Sequence, residues 1–281
     1  MAALIRTAKD FRDACAEVRR DGRLALVPTM GFLHAGHQSL IRAANSQAPS
    51  VAVTIFVNPT QFGPNEDLAR YPRDLEGDLK KCAEAGASFV FAPEDPKEIY
   101  PEGFQTYVEP GPLAGPLCGS RRPGHFRGVA TVVAKLFALS RADVAFFGEK
   151  DFQQLAVIKR LAVDLDLGTQ VIGRPTIREH DGLAMSSRNA YLSPEDRQRA
   201  VALSKAMAAC RSAFADGERE IARLEALAAS VLTESGLRVD YAELRRPGDL
   251  ERPPEATGDT RVFLAAFLGK TRLIDNGPLE G

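Results

Sequence analysis

Two of the four histidines in this 281-residue chain, His34 and His37, stand three positions apart around Gly36. An apolar run, Leu24-Ala25-Leu26-Val27, precedes them and a helix-like run over 39–48 follows. A strand, a glycine-bearing turn and a helix start are the parts of a phosphate site, where backbone N–H groups and a positive helix end meet an anion. At i and i+3, both imidazoles face the same side of that first turn.

Four further segments set polar groups in apolar surroundings. In 55–62 a buried-looking strand ends in Asn58 and Gln61, whose amides both donate and accept, although Asn58-Pro59 is also a turn signal. In 121–128 three arginines and His125 form either an anion clamp, a closing lid or a solvated basic loop. In 146–154, Gly148, Glu149, Lys150 and Asp151 lie between a strand and a helix, suited to phosphate and a magnesium ion or to plain helix capping. In 184–189, Met185, Ser186, Ser187 and Arg188 offer hydroxyls and a guanidinium, or a polar interdomain turn. The set is mostly cationic donors, with no G-x-S-x-G elbow and no H-E-x-x-H zinc motif. Such a site holds phosphates and stabilises charge without a covalent nucleophile, as transfer from a nucleoside triphosphate requires.

The elements that must carry these groups alternate. Strands are predicted over 24–28, 51–57, 89–92, 144–147 and 170–172, with helices over 7–22, 39–48, 74–85, 129–140 and 152–165. This predicts an α/β domain with a Rossmann-like, doubly wound parallel sheet over 1–176, its ligands at the carboxyl ends of the strands. The Pro/Gly-rich stretch 92–128 reads as a long functional loop. Beyond it, helices over 194–215 and 218–235 and strands over 240–244, 262–268 and 273–275 predict a smaller, lid-like α+β domain over 177–281. A net charge of −1 gives no footprint for nucleic acid or an anionic membrane surface. No apolar run approaches the roughly 18 residues of a membrane span, and the N-terminus lacks a signal-peptide pattern, which implies a cytoplasmic protein. Cys15, Cys82, Cys118 and Cys210 are scattered without a C-x-x-C; the first two and Cys210 read as helix packing and Cys118 as an exposed loop thiol.

These segments, together with 71–78 (YPRDLEGD) and the closing 272–276 (RLIDN), resemble in order and spacing the pantothenate synthetase (pantoate–β-alanine ligase) family of the HIGH-motif nucleotidyltransferase superfamily. The resemblance implies a two-step reaction. Pantoate attacks the α-phosphate of ATP to give pantoyl adenylate and pyrophosphate, and β-alanine then displaces AMP to give pantothenate. It implies ATP contacts from Met30, Gly31, Phe32, Leu33, His34, Ala35, Gly36, His37, Gly148, Glu149, Lys150, Asp151, Ile177, Met185, Ser186, Ser187 and Arg188. His37 would be the proton donor, with His34, Lys150 and Arg188 as the other catalytic groups. Gln61 would border both pantoate and β-alanine and Gln154 would hold pantoate, with Asn58 beside them. Mg²⁺ would accompany ATP and the protein would be a homodimer; the magnesium ligands stay open between Asp78, Asp151 and the phosphates themselves. A nucleotidyltransferase acting on a phosphorylated pantetheine-like substrate is the alternative. The chain departs from the family's L-E-G stretch at Leu117-Cys118-Gly119.

Overall fold

The computed structural model describes residues 2–64 and 66–280; Met1 and Gly281, which bound the two expected domains, lie outside them with Asn65. The chain forms two compact units, one of 1–149 with 153–175 and the other of 150–152 with 176–281.

The first unit is built on a six-stranded parallel sheet ordered β1 (Ala3–Ile5), β4 (Phe89–Phe91), β3 (Ser50–Ile55), β2 (Leu24–Thr29), β5 (Val144–Gly148), β6 (Gln170–Arg174). Leu24 to Val27 are wholly buried, the signature of a central strand covered on both faces. Ala25, Val27, Val51, Val53 and Val90 turn to one face, where α2 (Ala35–Asn45) and α3 (Leu75–Ala85) add Leu40, Ile41, Cys82 and Ala85. The alternate residues Phe89 and Phe91 meet Phe11 of α1 (Ala8–Asp21) on the other face, Phe91 stacked at 4.5 Å between ring centroids. Thr7 caps α1, its hydroxyl accepting from the Asp10 N–H.

Several elements depart from the sequence expectation. The edge strand β1 is missed by periodicity because it has only three residues, of which Ala3 and Leu4 are exposed. Helix α2 begins at Ala35, four positions before the predicted start, because His34 takes the N-cap position, which Ser, Thr, Asp or Asn usually fills. The 92–128 stretch is not one long loop. It holds 3₁₀ turns at Pro96–Glu98 and Pro112–Ala114, a short helix α4 (Cys118–Arg121) and the first turn of α5 (His125–Ser140), with Ile99 and Leu117 in the core. Cys118 is buried as well, against the expectation of an exposed thiol.

In the second unit, α8 (Ala202–Ala215) and α9 (Ile221–Glu234) cover one face of an antiparallel sheet of β7 (Arg238–Arg245), β8 (Arg261–Leu268) and β9 (Thr271–Pro278). The single helix expected over 194–215 is two, α7 (Pro194–Ala200) and α8, parted at Val201, whose carbonyl accepts the Ser204 hydroxyl at 2.9 Å.

In the first unit α5 presses against the 3₁₀ turn Pro59–Gln61 at the end of β3. At Gly128 a Cβ would sit 2.4 Å from the Thr60 carbonyl oxygen and 2.6 Å from the Gln61 nitrogen. Gly128→Ala gains about 1 kcal/mol of helix propensity but forces a methyl into backbone, an overpacking cost of about 1–3 kcal/mol or more. We expect net destabilisation by chemical denaturation, with a larger loss of activity than of stability because the Gln61 turn is displaced; a more stable variant would contradict this packing.

Candidate active site

The strand order sets the location. β3 and β5 flank β2 and lead the chain off in opposite directions, the switch point at whose carboxyl end α/β proteins bind ligands. Here the two strands also part. β2 pairs with β5 only at Ala25 and Leu26, whereas its pairing with β3 continues to Thr29, and Pro28 brings no N–H to extend the ladder.

The loop leaving β2 carries two consecutive left-handed residues, Gly31 (φ 84°) and Phe32 (φ 50°). A side chain on Gly31 would press on Ile55 and the Asp78 carboxylate, at 2.9 and 3.0 Å. The buried Asp78 carboxylate holds this turn, accepting the Phe32 N–H at 2.7 Å and the Leu33 N–H at 2.6 Å. Burial pushes the Asp78 carboxyl above its ordinary value, and the two N–H groups offset that only in part.

His34 and His37 then form a reciprocal cap. His34 Nδ1 accepts from the Gly36 N–H at 3.1 Å, and His37 Nδ1 accepts from the His34 N–H at 3.3 Å. Because both Nδ1 atoms accept, each neutral ring carries its proton on Nε2. The ring centroids lie 4.1 Å apart, so the pair stands together at the start of α2, as the spacing predicted.

Gln61 and Asn58 come together in a buried amide cluster. Asn58 Nδ2 donates to Gln61 Oε1 (3.0 Å) and to the Gly128 carbonyl (3.1 Å), while its Oδ1 accepts from Tyr100 and Thr60 at 2.8 and 2.9 Å. The Tyr100 hydroxyl is pushed up to about 12 by burial and stays a donor. Asn58 therefore has no capacity left for substrate, and the expectation of a substrate contact is corrected to a positioning role on Gln61. The Gln61 Nε2 lies 3.2 Å from Met30 Sδ, which brings together the amide and the first residue of the histidine loop.

The basic segment 121–128 does not form an anion clamp at Arg122, whose guanidinium makes a two-pronged pair with Glu66 at 2.7 and 2.6 Å. Burial pushes the Glu66 carboxyl up, but the Arg122 bonds and charge prevail and hold it below its ordinary value. Arg122 also meets His125 Nε2 at 2.9 Å, and His125 Nδ1 lies 2.9 Å from the Gln61 carbonyl, donating to it in that tautomer.

On α6 (Phe152–Asp164), Gln154 is half-buried, but its neighbour Gln153 is buried and was missed. Gln153 accepts from the Cys118 N–H at 3.0 Å and donates to the Leu113 and Pro116 carbonyls at 3.0 and 2.6 Å. The available signal was its place on one helical stripe with the buried Val157 and Leu161. The Cys118 bond uses the backbone, so it does not depend on the side chain at this position. Glu149 is half-buried and packs beside Gly173, where a Cβ would meet its Cγ at 3.4 Å.

The second unit gathers Lys150, Asp151, Ile177 and Met185 to Arg188. Lys150 Nζ lies 3.9 Å from the solvated Asp151 carboxylate. Segment 177–185 doubles back on itself, the Met185 N–H donating to the Ile177 carbonyl at 3.0 Å. Ser186 caps the 3₁₀ turn Ser187–Tyr191 by accepting the Arg188 N–H. Arg197 grips the base of this segment through Glu179 (2.6 Å) and Asp181 (2.6 and 3.0 Å).

Among the described residues no group of three or more His, Cys, Asp or Glu side chains is placed to hold a metal. Asp78, a candidate magnesium ligand by sequence, accepts one backbone N–H on each carboxylate oxygen and braces the loop after β2.

The Arg197 hydrogen bond lowers the Asp181 carboxyl from 3.8 to about 2. Its stabilising contribution is therefore complete above 3.8 and is lost as the pH falls toward 2. The unfolding stabilities of wild type and Asp181→Asn should differ at neutral pH and converge near the lower value. A difference that persists through that range would show that the pair is not its source.

Residues 3–278 match the model of the pantoate-beta-alanine ligase family. The pantothenate synthetase of Myxococcus xanthus is 58% identical over 285 residues, 99% of this chain and 97% of that protein. That of Geobacter sulfurreducens is 52% identical over 275 residues, 97% of each. The crystal structure of the Thermus thermophilus pantothenate synthetase superposes with a TM-score of 0.93 at 43% identity, covering 99% of this chain and 100% of that one. The Francisella tularensis pantoate-beta-alanine ligase, complexed with beta-gamma ATP and beta-alanine, gives 0.84 at 34% identity, covering 100% and 99%. With likeness this strong running the whole length of both partners, in sequence and in fold, the chain belongs to the pantoate–β-alanine ligase family.

Proposed function

We propose that this ligase works through an enzyme-bound acyl adenylate and that the paired histidines serve its first step. A pantoate carboxylate oxygen attacks the α-phosphorus of ATP, the bond to the bridging oxygen breaks, and pyrophosphate leaves. The β-alanine amine then attacks the acyl carbon, loses a proton, and AMP departs with the former carboxylate oxygen that had joined the acyl group to phosphorus. The observation that carries this reading is the reciprocal cap, which fixes the proton of both imidazoles on Nε2 and sets the rings side by side at a helix N-terminus. His37 donates to the phosphate oxygens as charge builds, with His34 beside it, and Lys150, Ser186, Ser187 and Arg188 neutralise the remaining charge. Backbone of Met30 to Gly36, Gly148 to Asp151, Ile177 and Met185 lines the nucleotide, while Gln61 and Gln154 hold the pantoate hydroxyls and Gln61 borders the β-alanine. The Asp78 brace and the absence of a ligand cage among the described residues leave Mg²⁺ to enter as part of the ATP substrate, carried by its phosphates.

Labelled pyrophosphate should exchange into ATP when pantoate and Mg²⁺ are present, without β-alanine, and AMP should appear only once β-alanine is added. His37→Ala should slow the exchange by about 10²-fold. Exchange supported by a phosphorylated pantetheine in place of pantoate would refute the reading, and a full-rate His37→Ala enzyme would remove that residue's role.

We further propose a cytoplasmic homodimer. The four buried free thiols suit a reducing compartment, and Val163 and Leu165 expose apolar side chains just before the edge strand β6. Light scattering on the purified protein should give twice the chain mass; a single-chain mass at micromolar concentration would overturn the dimer.

A further inference from the structure

The closing RLIDN stretch, which belongs to β9, has no part in the chemistry above, yet it holds two of the most buried polar residues of the second unit. Asp275 and Asn276 are 2% and 4% exposed. Being adjacent on a strand, they project to opposite faces of the sheet. The register agrees, pairing Asp275 with Leu264, on the face covered by the helices, and Asn276 with Phe263, on the other.

Each holds a different segment. Asp275 takes Arg178 in a two-pronged pair, at 2.7 Å to Nη1 and 2.9 Å to Nη2, and Arg178 in turn donates to the Gly182 carbonyl at 2.9 Å. Arg178 is bridged to Ala184, one residue before Met185, so the pair fixes the base of the segment that ends in Ser186, Ser187 and Arg188. Asn276 Nδ2 donates to the Lys150 carbonyl at 2.7 Å, and its Oδ1 accepts from Arg261 at 2.5 Å. The Arg261 guanidinium lies over the Phe152 ring at 3.9 Å, and Phe263 meets the same ring edge-on at 5.9 Å. The turn 150–152 is thus gripped at its first residue by an amide and at its last by a cation and a ring.

We propose that Asp275 and Asn276 form a positioning dipeptide for the nucleotide, holding the Lys150 turn and the 185–188 segment on one strand of one rigid sheet. This rests on the reading that Lys150 and Arg188 bind ATP. The physical logic is that an ammonium or guanidinium stabilises transition-state charge only from a fixed origin. Asn276 fixes that origin for Lys150 through its carbonyl rather than its side-chain tip, and Asp275 fixes it for 185–188 indirectly, through Arg178 at the base of the segment. Both act through other residues, Arg178 and the Lys150 main chain, and are therefore positioning residues.

The test is a double-mutant cycle in the pyrophosphate exchange assay. Asn276→Ala should lower the exchange rate by about tenfold and raise the KM for ATP while leaving the KM for pantoate within about twofold. In a Lys150→Ala background the same substitution should change the rate by less than about twofold, because the group it positions is gone. Arg261→Lys, which keeps the charge but loses the planar stack, should give a smaller defect of the same ATP-selective kind, and it keeps the proposal testable if Asn276→Ala folds poorly. Equal rate factors in the two backgrounds, or KM values for ATP and pantoate rising together, would overturn the positioning role. A Lys150→Ala enzyme with undiminished exchange would instead overturn the ATP-binding reading beneath it.

Discussion

A buried carboxylate has to answer for its desolvation, and Asp78 does so with two backbone N–H groups from the loop after β2. That loop turns through two left-handed residues, one of them Phe32, for which the conformation costs roughly 1–2 kcal/mol. Leaving its two N–H groups unpaired would cost about 1–3 kcal/mol each. One charge-assisted acceptor removes both penalties and selects the turn. The direction taken by the chain at Leu33 determines where His34 caps α2, and the cap determines which nitrogen of each ring bears the proton. The orientation of the paired histidines therefore follows from a side chain that takes no part in the chemistry.

The same arrangement recurs around Gln61. Its side-chain oxygen accepts from Asn58, its carbonyl meets His125, and its peptide nitrogen lies against Gly128. Asn58, His125 and the Arg122–Glu66 pair form a continuous polar path from β3 to the first turn of α5. A network of this kind is rigid because every member is satisfied, and removing one member strands the others in a low-dielectric interior. The glutamine amide is thereby held in one orientation by the fold itself, the pre-ordering that lowers the entropic cost of binding at any such group.

How much of this was legible in the sequence depends on whether the signal was local. The continuous apolar run of β2 and the alternation of helices and strands report burial at a residue's own position, and both led to the right class of sheet. The pairing of His34 with His37 is local as well, since an N-cap residue and the third residue of its helix meet wherever the helix starts. Asp78 is the counter-example. A carboxylate among cationic loops reads as a metal ligand, and nothing near it in sequence announces that its partners are the distant Phe32 and Leu33 amides. Asn58 misleads for the same reason: an amide at a strand end looks available until Tyr100 and Gly128 are brought to it by the fold. Helix α2 was started late because the rules for caps rank oxygen side chains, whereas here an imidazole nitrogen accepts the N–H. Cys118 looked exposed because its stretch is rich in Pro and Gly, but a segment whose carbonyls are gathered by Gln153 packs like a core element.

These anchors share a chemical form that explains why they escape motif reading. Asp78, Gln153 and Asn276 all bond to main-chain N–H or C=O groups of a functional segment rather than to its side chains. A main-chain bond does not depend on the identity of the residue it holds, as at Cys118, whose thiol takes no part in the bond to Gln153. It also places the constraint at the main chain rather than at the imidazole, ammonium or guanidinium beyond it. Had the same segments been fixed through their charged tips, the holding bond and the ligand would compete for the same protons. Separating the group that positions from the group that reacts removes that competition, and it requires buried acceptors and donors whose only sequence mark is a polar residue where an apolar one would pack.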